Sequence, residues 1–263
     1  MVKVRFCKQV WYAGGSLIAL LFCTFSVVMA QDTAKGKGRW AVLVQPYVMF
    51  PNIHGTVGIG DLPEASVRAD PGDVFSHLQM GAMLYVEAQH DLWAISSDIL
   101  YMKLNQSLQP GKVIKGGELT AKQFAWELAG LRRLSPWFEV GMGLRINSLN
   151  AEVDMQLYGL EEDQFRSASS SKTWVDPIII TRFRTPTKGR FSGQLRTDIG
   201  GFGIGSKLAW QLQLDAVYKV SKLFDLGLGY RAISVNYEKG SGADKFLYDT
   251  RTFGPVIRLG FNL

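Results

Sequence analysis

Between residues 137 and 147, apolar and polar side chains alternate without a lapse. Phe138, Val140, Met142, Leu144 and Ile146 share one face, and Glu139, Gly141, Gly143, Arg145 and Asn147 the other. A period of two is the signature of a strand with two unlike faces. The same pattern recurs in 207–219, where Leu208, Trp210, Leu212, Leu214, Ala216 and Tyr218 oppose Ala209, Gln211, Gln213, Asp215 and Val217. In the last strand Phe253, Pro255, Ile257, Leu259, Phe261 and Leu263 oppose Gly254, Val256, Arg258, Gly260 and Asn262. Breakers divide the chain into ten such segments: 40–50, 78–89, 92–104, 117–132, 137–150, 173–185, 190–201, 207–219, 223–237 and 246–263. Segments 40–50 and 92–104 alternate poorly and cannot be oriented from pattern alone.

The connections alternate in length. Short ones fall at Gln89-His90-Asp91, Arg133-Leu134-Ser135-Pro136, Pro186-Thr187-Lys188-Gly189 and Val220-Ser221-Lys222. Longer links fall at 51–77, 105–116, 151–172, 202–206 and 238–245, of which only 202–206 is short for its place. Short turns at one end and long loops at the other, with an even strand count, describe a closed antiparallel transmembrane β-barrel. The expected fold class is therefore all-β, with about ten strands. Eight or twelve is the alternative count, because 55–60 and 65–70 can pair as an extra hairpin.

Orientation of the faces follows from their composition. The polar face is rich in Gly, Gln, Asn, Arg, Asp and Glu and poor in Lys, which suits a confined interior. The apolar face carries more Leu, Ile, Trp, Phe and Tyr bulk than a ten-stranded lumen holds, so it should meet lipid. Trp40, Trp93, Trp137, Phe183, Phe191, Tyr218 and Phe224 fall near the short turns, where amphipathic rings form a girdle at the headgroup level. The alternative is a soluble periplasmic lipocalin-like carrier with its apolar face around a cavity.

The N-terminus points to export. Lys3, Arg5 and Lys8 precede an apolar stretch from Val10 to Val28, ending in Val28-Met29-Ala30 before Gln31-Asp32-Thr33. That order predicts a signal peptide over 1–30, a barrel domain over 31–263 and a mature chain starting at Gln31. Both cysteines, Cys7 and Cys23, lie in the leader, so no disulfide is expected in the mature chain. Removing the leader lowers the formal charge from +6 to +3, which gives nucleic-acid binding no support.

Several segments carry a resemblance. They are Gln45-Pro46-Tyr47, Asn52-Ile53-His54-Gly55-Thr56-Val57, Trp174-Val175-Asp176-Pro177-Ile178 and Asp198-Ile199-Gly200-Gly201-Phe202-Gly203. Trp210-Gln211, Gly229-Tyr230-Arg231 and Gly254-Pro255 complete the set. Through them residues 40–263 resemble a family of proteobacterial outer-membrane β-barrel proteins of uncharacterised function. The resemblance implies location and fold, and little about activity. The C-terminus departs from the common terminal Phe of such barrels, ending Phe261-Asn262-Leu263.

Catalytic chemistry has few candidates. Outer-membrane hydrolases need Ser with His, or paired aspartates beside an Asp–His pair. Only His54, His77 and His90 exist, and His90 sits in a short turn. A Ser76/His77/Asp73 site in the first long link is the hydrolase alternative, against simple loop polarity. Gly201-Phe202-Gly203-Ile204-Gly205 suggests a nucleotide loop only if a helix follows, whereas a strand is expected. No cofactor is implied, and with three histidines and no mature cysteine no transition-metal site either. Glu161, Glu162 and Asp163 form an acidic loop able to attract a cation, but a solvated loop is the stronger expectation.

What remains is the inward polar face. Its expected members are Glu87, Glu127, Glu139, Asp176, Asp198 and Asp215 with Arg145, Arg182, Arg184, Arg196, Arg231 and Arg258. Such near-balance predicts a narrow, largely plugged lumen, since Arg forks bind carboxylates bidentately. If 137–150 and 173–185 are neighbours, residue numbers summing to 321 pair Glu139 with Arg182 and Arg145 with Asp176. Pro46 and Pro255 lie in the first and last strands, which must meet at closure. Each removes one ladder donor, either from that seam or from its other neighbour. These observations imply a non-enzymatic envelope scaffold or narrow small-solute passage. Its expected partners are outer-membrane lipid, lipopolysaccharide and the barrel assembly machinery.

Overall fold

A computed structural model describes residues 40–60, 64–108, 114–157, 164–185 and 189–263. The expected signal peptide and the Glu161–Asp163 cluster lie outside these residues. In chain order the elements are β1 (Ala41–Met49), β2 (Asn52–Ile59), β3 (Ala65–Ala69) and a short helix α1 (Pro71–Ser76). Then follow β4 (Leu78–His90), β5 (Trp93–Leu108), β6 (Ile114–Ser135), β7 (Phe138–Leu157) and β8 (Gln164–Arg184). The chain ends with β9 (Phe191–Gly200), β10 (Leu208–Lys219), β11 (Phe224–Lys239) and β12 (Phe246–Asn262).

Ten of these strands close a ring. From β4 to β12 each pairs antiparallel with the next, and β1 joins β4 to β12. All ten expected strands are present, and the extra hairpin forms as well: β2 and β3 pair and extend the sheet along β12, outside the ring. The strands of the barrel wall run further than alternation suggested. Much of the expected links 105–116 and 151–172 is ladder, with Leu108 reached by β5 and Leu157 by β7 before β8 resumes at Gln164.

Side chains sort by parity. On β10, Leu208, Trp210, Leu212 and Leu214 are exposed while Ala209, Gln211, Gln213 and Asp215 are buried. On β12 the same holds for Ile257, Leu259 and Phe261 against Val256 and Arg258. Met142, Leu144, Ile179, Leu226 and Leu228 continue this exposed apolar belt around the wall. At the short-turn rim Trp40, Trp93, Trp137, Phe183, Phe191 and Phe261 are exposed, and Trp137 stacks on Phe183 at 6.0 Å. A belt of large apolar side chains facing outward, with an aromatic rim and a polar interior, is built for lipid and not for water. No helix among the described residues is long and apolar enough to cross a membrane. The crossing is made by strands, and the barrel is an outer-membrane one. A soluble carrier with polar faces outward is therefore overturned.

The two strands that resisted orientation turn out to change character along their length. β1 points Gln45, Tyr47 and Met49 inward, and β5 points Ala94, Ser96 and Asp98 inward, then Met102. Their inner faces pass from polar to apolar partway up because the lumen itself does.

The seam between β1 and β12 is set by a register in which partner numbers sum to 305, as in Leu43↔Asn262 and Met49↔Val256. Val42 and Leu263 exchange both backbone hydrogen bonds, at 3.2 and 2.8 Å, and Phe50 donates to the Pro255 carbonyl at 2.9 Å. Hydrogen-bonded positions thus fall at even residues of β1 and odd residues of β12. Pro46 lies opposite Leu259 and Pro255 opposite Phe50, so both missing N–H groups face the seam. The recorded pairs lapse at Gln45 and Pro46 accordingly. Next to Pro255, a Cβ on Gly254 would stand 1.9 Å from the Phe50 carbonyl oxygen, so only glycine fits there.

Candidate functional site

Inside the ring, the interior is layered from the short-turn mouth to the long-loop mouth. The lowest layer joins β4, β6, β7 and β8. Glu87 is fully buried and accepts hydrogen bonds from Arg182, from Arg184 (Nη2, 2.8 Å) and from the Tyr85 hydroxyl. Arg182 Nε donates to Glu139 at 2.6 Å, and Arg133 Nε donates to the same carboxylate at 3.1 Å. Because β4 and β8 are not neighbours, the Glu87–Arg182 pair spans the lumen.

The next layer is equally cross-linked. Arg145 Nη2 donates to Glu127 at 2.7 Å and to Asp198 at 2.8 Å. Arg196 pairs with Glu127 as well. Arg231 lies 3.1 Å from Asp98 across the barrel and donates to Gln211 at 2.7 Å. Tyr47 ties these together: its hydroxyl donates to Asp98 at 2.7 Å and accepts from Arg231 at 2.9 Å. Arg258 packs over the Tyr47 ring at 4.7 Å and lies 3.4 Å from Asp215. A buried charge is tolerated only when paired and hydrogen-bonded, and here nearly every member has both.

Of the lumen candidates, Glu87, Glu127, Glu139, Arg145, Asp176, Arg182, Arg196, Asp198, Asp215, Arg231 and Arg258 are buried. Arg184 is half-buried at the lower mouth. The sum of 321 between β7 and β8 is the observed register, with Glu139↔Arg182 and Arg145↔Asp176 opposite. The first of these pairs bonds. The second does not: Arg145 turns to Glu127 and Asp198, and Asp176 is held by neutral donors. These are Asn147 Nδ2 (3.2 Å), Trp174 Nε1 (3.1 Å), Ser206 N (2.6 Å) and Ser206 Oγ (2.8 Å).

That clamp explains the glycine run after β9. Gly201, Phe202 and Gly203 have positive φ, and Gly203 N donates to Ser206 O at 3.0 Å, closing a tight turn. β10 follows, so the nucleotide-loop alternative is overturned for want of a helix. A Cβ on Gly205 would stand 2.3 Å from the Val175 carbonyl oxygen, so the turn folds inward and delivers Ser206 to Asp176. Tyr47, Tyr85, Asp98, Gln211 and Ser206 all belong to the network without having been candidates. Tyr85 and Glu87 share a face at i, i+2, a spacing that marks the first of these pairs. Asp98 escaped because its strand could not be oriented.

Above the charged layers the lumen becomes an apolar cup. Met49, Ile53, Met83, Leu100, Met102, Phe124, Leu149, Ile233, Val235 and Tyr248 line it, with Trp174 stacked on Tyr237 at 4.2 Å along one side. Its floor is Tyr47, Asp98, Glu127, Arg145 and Arg231, and it holds about 70 Å³ open to the centre of a water molecule.

The hydrolase constellation does not assemble. Ser76 Oγ is 3.1 Å from His77 Nδ1, but that nitrogen also meets the Asp73 carbonyl at 2.7 Å and Ser76 donates to the same carbonyl at 3.0 Å. The Asp73 carboxylate accepts from Asp70 N as half of a capping box on α1. It therefore orients the helix and not the imidazole. His54 lies edge-on to Phe253 at 5.3 Å. No metal-holding cluster occurs among the described residues.

No protein-family model matches the chain, and no curated protein does. Among solved structures it is similar to the outer membrane protease OmpT from Escherichia coli. Identity is 10% over 88% of this chain and 100% of that one, with a TM-score of 0.47. It is also similar to Ail, the attachment invasion locus protein of Yersinia pestis, at 10% identity over 87% and 100% of the two chains, TM-score 0.38. Neisserial surface protein A is a third, at 11% identity over 87% and 99%, TM-score 0.30.

Proposed function

We propose that the chain is a non-enzymatic outer-membrane barrel whose axis is shut to hydrated solutes, acting as an envelope scaffold and binding body. The observation that carries this is the pair of charged layers. Glu87–Arg182, Asp98–Arg231 and Arg145–Asp198 each join strands that are not neighbours, at contacts of 3.1 Å or less. A passing ion would have to displace Arg182 and Arg145, each held by two carboxylates, and Arg231, held by Asp98 with Gln211 and Tyr47, at a cost of several kcal/mol per broken pair. Open channels instead come from barrels of about 16–18 strands.

Planar-bilayer recording tests this. Wild-type protein should give no steady conductance step. The combined Glu87→Ala, Arg182→Ala and Glu139→Ala variant, checked for folding by heat-modifiable gel mobility, should stay closed while the second layer is intact, and a small step should appear only when Asp98→Ala, Arg145→Ala and Arg231→Ala are added. A steady wild-type conductance of porin size overturns the proposal.

A further inference from the structure

The barrel wall has a notch. The chain from Ala41 to Ile59 follows β12 in one register throughout, since Asn52↔Phe253 and Ile53↔Thr252 keep the sum of 305. On its other edge it pairs with β4 only as far as Pro46↔Leu84. Beyond that, β2 takes β3 as its partner, and the start of β4, Leu78–Met83, has β5 on one side and no ladder partner on the other among the described residues. By the parity of the seam, backbone groups of Gly81 and Met83 point into the gap from one flank, and a bulge at Gln79 ends that parity. Those of Tyr47, Met49 and Pro51 do so from the other. Gln79, Met80, Gly81 and Ala82 are exposed in succession, so here β4 is open on both faces.

The notch sits at the upper edge of the apolar belt. Opposite Ala82 and Met80 on β5 the outward residues are Tyr101 and Lys103, where Ile95 and Ile99 stand lower down. On β12 the outward face passes from Ile257 and Pro255 to Arg251 over the same height. Unpaired backbone is tolerated at that level, where headgroups and water can satisfy it, and not deeper. Behind the notch is the cup: Met49, Pro51 and Met83, which flank the gap, also line the cup, joined by Ile53. α1 reaches the β1 flank of the notch, with Val74 buried and Phe75 against Phe50 at 5.2 Å.

One further atom points to an occupant. Arg145 Nη1 is buried, has no hydrogen-bond partner, and belongs to a side chain that floors the cup. A buried guanidinium donor left unmatched invites an oxygen acceptor. Since Arg145 already meets two carboxylates, an uncharged oxygen matches it better than a second anion.

We infer that the cup is a lateral binding site for a small amphiphile from the outer leaflet. Its hydrocarbon body lies among Met49, Met83, Leu100, Phe124 and Leu149, and one hydroxyl or carbonyl oxygen accepts from Arg145 Nη1. Entry is through the notch, with α1 at its β1 flank. This goes beyond the closed axis and is independent of it.

Photolabelling in lipid nanodiscs with a diazirine-bearing decanol, followed by peptide mapping, tests the site. Label is expected on Met49, Met83 or Leu149 as well as on the outward belt. Bridging Phe50→Cys to Phe75→Cys with a short bis-thiol reagent should cut the inward label at least tenfold and leave the outward label unchanged. Arg145→Lys should weaken inward labelling by the alcohol and not by the matching diazirine alkane. Label confined to the outward belt, or inward label insensitive to the bridge, overturns the inference. Conductance, the readout for the closed axis, is unaffected by either result.

Discussion

At Arg145 two carboxylates, from β6 and β9, outbid a third directly opposite on β8. Cross-strand register places Asp176 against Arg145, but Asp176 already has four neutral donors from Asn147, Trp174 and Ser206. Alternation made both residues legible as inward. The partner was not legible, because an inward Arg has two flanking strands and the far wall to choose among. The consequence is testable by double-mutant cycles in urea unfolding from lipid vesicles. Arg145→Ala leaves Glu127 and Asp198 to share Arg196 as their remaining cation, one buried charge short, and should cost about 3 kcal/mol. Combined with Glu127→Ala the loss should be well short of additive. Combined with Asp176→Ala it should be additive to within about 0.5 kcal/mol. Coupling to Asp176 as strong as to Glu127 would refute the assignment.

Strand existence was legible wherever one face met lipid and the other the charged layers, as in β7, β10 and β12. Above the belt the signal fades. The start of β8 reads Ser167, Ser169, Ser170 and Ser171, polar on both faces because both meet water, yet it continues the ladder with β7. Loop and strand look alike in composition there, which is why 105–116 and 151–172 were expected as links. The prolines leave two readings open in the sequence, and the register decides between them: both missing donors face the β1–β12 seam. Amide hydrogen exchange should therefore be faster in β1 and β12 than in β7 and β10. Pro46→Val restores a donor opposite Leu259, worth roughly 0.5–1.5 kcal/mol, and should slow exchange along the seam. Uniform protection around the ring, or no effect of Pro46→Val, would show that the seam is not the weak point.

For the molecule as a whole, belt, girdle and charged interior were foreshadowed in the sequence, while the cup and its notch were not. Both depend on where β1 parts from β4, a choice of partner that no periodicity records. That parting also separates the barrel from its appendage. Both edges of β1 are paired as far as Pro46, through Ala41↔Gln89 to Pro46↔Leu84 on one side, and on the other the register from Leu43↔Asn262 continues to Met49↔Val256. The β2–β3 hairpin and α1 add ladder only to the upper half of β12, together with an exposed Lys245–Glu64 pair at 2.8 Å. Exposed ion pairs contribute little, about 0–1 kcal/mol. Both charged layers are formed without any residue of the hairpin. Replacing residues 53–75 by a short Gly-Ser link should thus leave a folded, heat-modifiable barrel whose urea midpoint in vesicles stays near that of wild type. The same variant frees the notch and removes Ile53 from the cup, so the alcohol should reach the inward site sooner after mixing and be displaced from it faster by unlabelled alcohol before photolysis. If excision abolishes folding, closure of the ring depends on the hairpin after all, and the division of the sheet into a self-sufficient barrel and an appendage is wrong.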